Sequence, residues 1–147
     1  MAIRQLSVFV ENKKGTLHEI TDVLAKANIN LRSMCIADTS EYGIVRIIAA
    51  EPEKARDVLN AAGHIASVRE VTAFAVPDQP GGLAKVLSIL EAEGVNMEYM
   101  YALVTTSVEK AYAVMRTDDE KKADGDEKKP DDLRRSVKHN TRAKEKQ

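Results

Sequence analysis

The sequence predicts an α+β protein in which one small unit is written twice, with the second copy incomplete. Residues 10–17 superimpose on residues 76–83 at a fixed offset of 66, as from Leu17 to Leu83. Around each segment, apolar residues first alternate with polar ones, as in a strand, and then recur at helical spacing. Self-similarity at a fixed offset indicates a repeated structural unit.

The first unit, residues 1–70, is predicted to hold four strands and two helices. A strand at 5–11 and a turn at 12–15 precede a helix whose apolar face is formed by Leu17, Ile20, Val23, Leu24 and Ala27. Strands at 31–38 and 42–50 follow. A second helix begins at Pro52 and ends at Gly63, and a strand lies at 67–71. The order β-α-β-β-α-β is the ferredoxin-like arrangement, with helices on one face of the sheet.

The second unit, residues 71–117, follows without a linker. The last strand of the first unit runs directly into a strand at 71–76, which predicts two units side by side with little hinge freedom. A helix at 82–93 and strands at 95–104 and 110–116 follow, with a one-residue insertion in the hairpin that shifts the offset to 67. Residues 99–104 are apolar on both faces of their strand. A second apolar face needs its own cover, so the sequence predicts self-association, most simply as a homodimer.

After the third strand of the second unit the repeat fails. Gly125 and Asp126 fall where Val58 and Leu59 stand in the first unit. Charged residues dominate 118–147, and such a segment buries too little apolar area to offset the entropy of ordering it. We therefore expect a disordered tail from about residue 121. We also expect a second unit whose sheet lacks an edge strand.

Composition excludes several functional classes. The net charge of -1 gives no reason to expect nucleic acid as the main partner, and no run reaches the roughly 18 apolar residues of a membrane span. Cys35, the one cysteine, allows no internal disulfide and fits a reduced cytosol as a small buried hydrophobe. His18, His64 and His139 have no metal-site or acid–base spacing. These observations predict a cytoplasmic, non-enzymatic protein without metal or cofactor.

The repeated turns are the candidate functional elements. Asp78 precedes a helix, where a carboxylate can accept hydrogen bonds from the first-turn N–H groups. The glycines that follow leave such groups uncovered, which suits an anion such as a ligand carboxylate. A helix terminus contributes roughly 0.3–1 kcal/mol to such binding, at best about 2, whereas millimolar affinity needs about 4 kcal/mol. A second unit would therefore have to close over the ligand.

The pattern Asp-x-Pro-Gly-x-Leu at 78–83, with Asn96 beginning the next strand, resembles the ACT domain. That domain is a small regulatory module of amino-acid metabolic enzymes. The doubled form, over residues 3–117, resembles stand-alone tandem ACT proteins of prokaryotes, some of them labelled acetolactate-synthase-related. The first turn departs from the pattern because Lys14 replaces the proline.

The resemblance implies a free amino acid bound between paired domains. It would contact the turn, the backbone after the glycine and the Asn that enters the second strand. By matching positions, the implied ligand-binding residues are Asn12, Lys14, Gly15, Thr16, Leu17, Asn30 and Leu31, together with Asp78, Pro80, Gly81, Gly82, Leu83, Asn96 and Met97. Asparagine offers both donor and acceptor to a zwitterion, whereas an ionised aspartate only accepts and would face the ammonium group.

These expectations combine into a non-enzymatic regulator. It would bind an amino acid at the interface between units and pass the conformational change to a partner metabolic enzyme. If Gly82 lies against the ligand, Gly82→Val should abolish binding and leave folding intact. Two alternatives remain open at this point: a ligand-free interaction subunit, and an enzyme with a site assembled across a dimer. In a third, structural interpretation, Asn12 and Asp78 cap their helices while Asn30 and Asn96 serve only as turn residues.

Overall fold

A computed structural model describes residues 1–38, 41–104 and 110–119. Its elements are β1 (Ala2–Glu11), α1 (Thr16–Lys26), β2 (Leu31–Asp38), β3 (Tyr42–Ala49), α2 (Pro52–Ala61), β4 (Ile65–Pro77), α3 (Gly82–Ala92), β5 (Met97–Leu103) and β6 (Lys110–Thr117). The predicted α+β, ferredoxin-like class is confirmed. The predicted tail, apart from Asp118 and Asp119, and the hairpin residues 105–109 lie outside the described residues.

The unit Arg4–Glu70 has the strand order β2-β3-β1-β4. β1 and β3 are antiparallel, with Leu6 opposite Ile47 and Val8 opposite Val45. These four side chains are almost fully buried and form the core with Ile20 and Leu24 of α1 and Ala55 and Leu59 of α2. Pro52 lies at the first turn of α2, as predicted, and Gly63 follows the helix with φ 92°.

The other unit combines Met1–Ile3 with the chain from Val71 onward and has the strand order β4-β6-β5. Phe74 and Met115 anchor its core against Leu90 of α3. The expected bare edge of this sheet is wrong for the described residues. The Met1 amino group donates to the Ala73 carbonyl (3.0 Å), and the Ala73 amide donates to the Met1 carbonyl (2.8 Å). The first residues of the chain thus pair with part of the edge that the sequence predicted to be bare.

Strand register corrects the predicted hairpin insertion. Leu6 pairs with Ile47 in the first unit, and Thr72, its equivalent 66 positions later, pairs with Met115. Ile47 and Met115 are 68 positions apart, so the second hairpin is longer by two residues, not one. The sequence misled because residues 51–54 and 118–121, which follow the third strand of each unit and are mostly charged, align well at an offset of 67.

The predicted apolar surface of the second unit is exposed only in part, with Val104 76% exposed. Tyr101, Leu103 and Val114 of the second unit are already buried in the single chain. In the first unit, Phe9 (47% exposed) and Ile44 (37%) lie opposite each other. They lie on the face of the sheet that points away from the core. The Phe9 ring stacks on Tyr42 at a centroid distance of 5.4 Å. Exposed apolar side chains therefore occur in both units.

Candidate functional site

The two predicted turns have the same backbone. In the first, the Lys13 amide donates to the Glu11 carbonyl (3.0 Å) and the Glu19 amide to the Gly15 carbonyl (2.9 Å). In the second, the same bonds join Gln79 to Pro77 (2.9 Å) and Lys85 to Gly81 (3.0 Å). Gly15 and Gly81 precede α1 and α3 with φ of 89° and 81°, the left-handed region that favours glycine. The sequence repeat is therefore a repeat of one hydrogen-bonded turn.

Neither Asn12 nor Asp78 caps its helix. The residues at the N-cap positions are Gly15 and Gly81, and no side chain makes a capping hydrogen bond at either helix. Asn12 and Asp78 lie three positions earlier with exposed side chains. The capping interpretation is therefore wrong, because the turn places a left-handed glycine where the capping side chain would have to be. Both polar side chains remain candidates for contact with a ligand.

The free amides lie one step further into each helix than the sequence predicted. The Thr16 amide donates to Lys13 O (3.4 Å) and the Gly82 amide donates to Gln79 O (3.0 Å). The first intrahelical donors are Glu19 and Lys85. In the first turns of α1 and α3, the amides with no acceptor among the described residues are those of Leu17, His18, Leu83 and Ala84. His18 and Ala84 were missed because their role follows from the bonds of the turn.

Gly82 is required by packing. A Cβ built on it would fall against the carbonyl oxygen of Pro77, and the Pro77 carbonyl carbon is 3.0 Å away. The residue is buried, so the prediction that Gly82→Val leaves the fold intact is wrong. Thr16 stands at the equivalent position of the first unit, where its hydroxyl oxygen is buried without a hydrogen-bond partner among the described residues.

The two turns differ in charge. In the first, Lys13 Nζ lies 2.8 Å from the Glu11 carboxylate. This hydrogen bond and the opposite charge lower the pKa of Glu11 and raise the pKa of Lys13. Lys14 makes no ion pair with any described residue, so its charge is available to an anion. In the second turn Pro80 occupies this position and Asp78 supplies a negative charge.

Asn30 and Asn96 enter β2 and β5 with equivalent backbone bonds. The Asn30 carbonyl accepts from the Ala50 amide and the Asn96 carbonyl from the Asp118 amide, each at 3.0 Å. The Asn96 amide also donates to the Asp118 carboxylate at 2.9 Å. Both asparagines are exposed, and Leu31 and Met97 after them are half-buried. The asparagines therefore fix the start of each strand through the backbone, and no hydrogen bond of their side chains to a described residue is found.

Within one unit the structure does not bring the turn and the strand start together. Pro77 pairs with Lys110 and Met97 pairs with Thr117, at opposite ends of β6. The 11 residues of α3 separate the two groups, a length of about 16 Å at 1.5 Å per residue. The first unit has the same arrangement across α1. One free amino acid is too short to contact both groups of a single unit.

An open cleft of about 430 Å³ lies at the strand start of the second unit. Its surface is about half polar and half apolar, and it is lined by Leu87, Leu90, Glu91, Gly94, Val95, Asn96 and Met97. Asn96 and Met97 were predicted, whereas Leu87 and Glu91 were missed. Leu87 and Glu91 are four residues apart and therefore neighbours on one face of α3. A glutamate that interrupts an apolar helix face was a signal present in the sequence.

The described part of the chain places one histidine beside a carboxylate. His64 Nε2 lies 3.4 Å from Glu19 Oε1, and His18 is exposed. Cys35 is half-buried, not buried as expected. Over residues 1–38, 41–104 and 110–119, no group of three or more His, Cys, Asp or Glu residues could hold a metal ion. The helices in this part of the chain are too short or too polar to cross a membrane.

Two ferredoxin-like units with a repeated strand-turn-helix define a tandem of small α+β modules. The chain belongs to the ACT domain pair family, whose sequence model matches residues 1–127. A crystal structure of a protein from Bacteroides thetaiotaomicron is 43% identical in sequence with a TM-score of 0.77, and the match covers 84% of each chain.

More distant structures share the fold alone. The ligand-free regulatory subunit of aspartate kinase from Thermus thermophilus is 13% identical with a TM-score of 0.60, covering 84% of this chain and 92% of that one. The corresponding subunit from Thermus flavus is 15% identical with a TM-score of 0.59, covering 78% and 84%. A comparison with curated proteins gave no match.

Proposed function

We propose that this ACT pair is a non-enzymatic, cytoplasmic regulator that binds a free amino acid between ACT units and acts on a partner enzyme of amino-acid metabolism. The observation that carries the proposal is the repeated turn with its unoccupied amides. Leu83 and Ala84 present two N–H groups at the positive end of α3, and Leu17 and His18 present two at α1. Such a pair of amides is a site for a carboxylate.

The separation of the two residue groups supports a site shared by two units. The ligand carboxylate would lie at the turn of one unit, and its other end at the strand start of another, with the two helices antiparallel. A second copy of the chain can supply that other unit, so the proposal includes a homodimer. Sharing the site also supplies the binding free energy that one helix terminus lacks.

Regulation would follow from linkage. If the amino acid binds one packing of the units more tightly, it shifts the population toward that packing, and an enzyme that contacts the same surface senses the shift. Coupling energies of this kind are typically about 1–3 kcal/mol. The regulatory subunits of aspartate kinase among the structural neighbours support an enzyme of amino-acid metabolism as the partner class.

A ligand-free interaction subunit is the second candidate. The exposed Phe9, Tyr42 and Ile44 of the first unit favour it, because clustered exposed apolar side chains often mark protein–protein contact. Under this candidate the chain would hold an enzyme through that surface, and amino acids would leave its stability unchanged.

Thermal unfolding of the full chain with each of the twenty amino acids separates the two candidates. A ligand at 100 times its dissociation constant stabilises the folded state by about 2.7 kcal/mol. At roughly 2–8 °C per kcal/mol, the melting temperature should rise by several degrees. Twenty unchanged melting curves at millimolar concentration would contradict the proposal and favour the interaction subunit.

A further inference from the structure

We propose that the cleft beside α3 selects an α-amino acid with an aliphatic side chain and holds its ammonium group with Glu91. The inference rests on the proposed function, because it names the class of ligand for the same site. It assigns a role to Glu91 and Leu87, which lie outside the repeated turn and strand start.

The apolar part of the cleft fits a small aliphatic group. Leu90 and Val95 are buried, with 6% and 7% of their surface exposed, and form its inner wall. Leu87 and Met97 are half-buried beside them. The volume of about 430 Å³ lies toward the lower end of the usual ligand-site range, roughly 300–1,000 Å³. Removing aliphatic surface from water at this wall favours binding in proportion to the area buried.

Three backbone amides of the cleft are already used and cannot bind a carboxylate. The Gly94 amide donates to Glu91 O and the Val95 amide donates to Leu90 O, both at 2.9 Å. The Asn96 amide donates to the Asp118 carboxylate. The remaining polar groups are the Glu91 carboxylate and the Asn96 side-chain amide. With these three amides occupied, the Glu91 carboxylate attracts the ammonium end of an amino acid and repels its carboxylate.

Glu91 is poorly compensated within its own unit. It makes no ion pair with any residue that the structure describes. It also lies in the last turn of α3, which contains no basic residue. Negative charge there is disfavoured, because the C-terminal end of a helix carries partial negative charge. A bound ammonium group would neutralise the Glu91 charge and the partial negative charge of the helix end. The ligand carboxylate would then be left to bind the amides of another unit's turn.

The first unit lacks these features at the matching positions. Thr21 stands for Leu87 and Ala25 for Glu91. The Thr21 hydroxyl donates to the carbonyls of Leu17 (3.0 Å) and His18 (2.9 Å), so it is held by its own helix. The selectivity for an aliphatic amino acid therefore belongs to the second unit.

Amino acids with charged side chains would bind poorly in the cleft for two reasons. An acidic side chain would meet Glu91 with like charge. A basic side chain would be buried against Leu90 and Val95 while Glu91 is already paired with the α-ammonium group of the ligand. Burying that second, unpaired charge costs more than the burial of its methylene groups contributes. The inference therefore separates leucine, isoleucine, valine and methionine from aspartate, glutamate, lysine and arginine.

Isothermal titration calorimetry of the full chain tests the inference with L-leucine, L-isoleucine, L-valine, L-methionine, L-aspartate and L-lysine. We expect at least one aliphatic amino acid to bind about tenfold or more tightly than aspartate and lysine.

Glu91→Gln should weaken the binding of that aliphatic amino acid by about tenfold, because one charge-assisted contact is lost. Leu87→Thr, which installs the residue of the first unit, should weaken it severalfold. Glu93→Gln, a change on an exposed residue two positions away that does not line the cleft, should have no effect.

Each of the other possible results of this experiment would overturn a stated part of the proposal. Tight binding of aspartate or lysine with no aliphatic binding would overturn the ligand class and leave the proposed function standing. Aliphatic binding that is unchanged in Glu91→Gln and Leu87→Thr would overturn the assignment to this cleft. Absence of binding by all twenty amino acids would overturn the inference together with the proposed function. Circular dichroism melts of the three variants establish that each is folded.

Discussion

The first and second turns of this ACT pair have nearly the same backbone and quite different chemistry. Both place a left-handed glycine before the helix and both close through equivalent hydrogen bonds. Yet the first carries Lys14 and a buried Thr16 hydroxyl, whereas the second carries Pro80 and Gly82 packed on Pro77. The comparison teaches that the repeat preserves a geometry, a helix start with two open amides, while the side chains around it are free to diverge.

The other ends of the two helices show the same divergence. Asn28 (φ 55°) and Gly94 (φ 66°) end α1 and α3 in the same left-handed conformation. One turn earlier, Ala25 in the first unit is matched by Glu91 in the second. The second unit has therefore gained a charge where the first has only a methyl group. This asymmetry is the reason to assign ligand selectivity to one unit.

The largest expected difference between the units is at the position after the turn glycine. Gly82→Val should lower the free energy of unfolding by about 3 kcal/mol or more, because the added Cβ meets Pro77 backbone. Thr16→Val should change it by less than about 1 kcal/mol, since the hydroxyl that it removes has no partner. Urea denaturation of both variants measures the contrast. Equal losses would show that Gly82 does not pack on Pro77 as described.

A smaller and equal effect is expected at the two turn glycines. Gly15→Ala and Gly81→Ala should each cost about 1–2 kcal/mol, because both have φ between 80° and 90° and a side chain there is strained. A Cβ meets no atom within 4 Å at either position, so no clash should add to the strain. The denaturation midpoints of the two variants should fall by similar amounts. A loss confined to one unit would contradict the equivalence of the two turns.

The smallest expected effect is the titration of Glu11, which has no counterpart in the second turn. Its folded pKa is lowered, mainly by the hydrogen bond from Lys13, so the pair stabilises the fold above the unfolded pKa. That contribution is lost as the pH falls through the folded pKa. Lys13→Ala should raise the pKa of Glu11 toward its ordinary value in a side-chain NMR titration. High salt should produce part of the same change, because the pair is exposed. A pKa of Glu11 that does not respond to either change would rule out the pair in solution.

Much of the fold could be predicted from the sequence because its signals are local. Alternation and helical periodicity located the strands and helices within a few residues, and the join through β4 followed from the absence of a linker. The hairpin insertion was misjudged because register depends on pairing across strands. The role of Gly82 was misjudged because Cβ clearance from Pro77 is a packing distance that no pattern reports.

The candidate site was predictable only in part for related reasons. The family pattern located the turns, but the open amides shift to Leu83 and Ala84 once the Gly82 amide is used inside the turn. Glu91 belongs to no motif, and its importance follows from the cleft that the fold forms around it. The predicted mobility of residues from 121 stays a prediction, which native-state hydrogen exchange can test.

The central claim is that an amino acid bridges the turn of one ACT unit and the strand start of another. Backbone-amide NMR spectra of the full chain, titrated with L-leucine, L-isoleucine, L-valine and L-methionine, test it most directly. We predict that one of these shifts the amides of a turn, at Leu17 and His18 or at Leu83 and Ala84. The same titration should shift those of Asn96 and Met97, with one shared dissociation constant. Shifts at only one of the two groups, or at neither with all four amino acids, would contradict the bridged site.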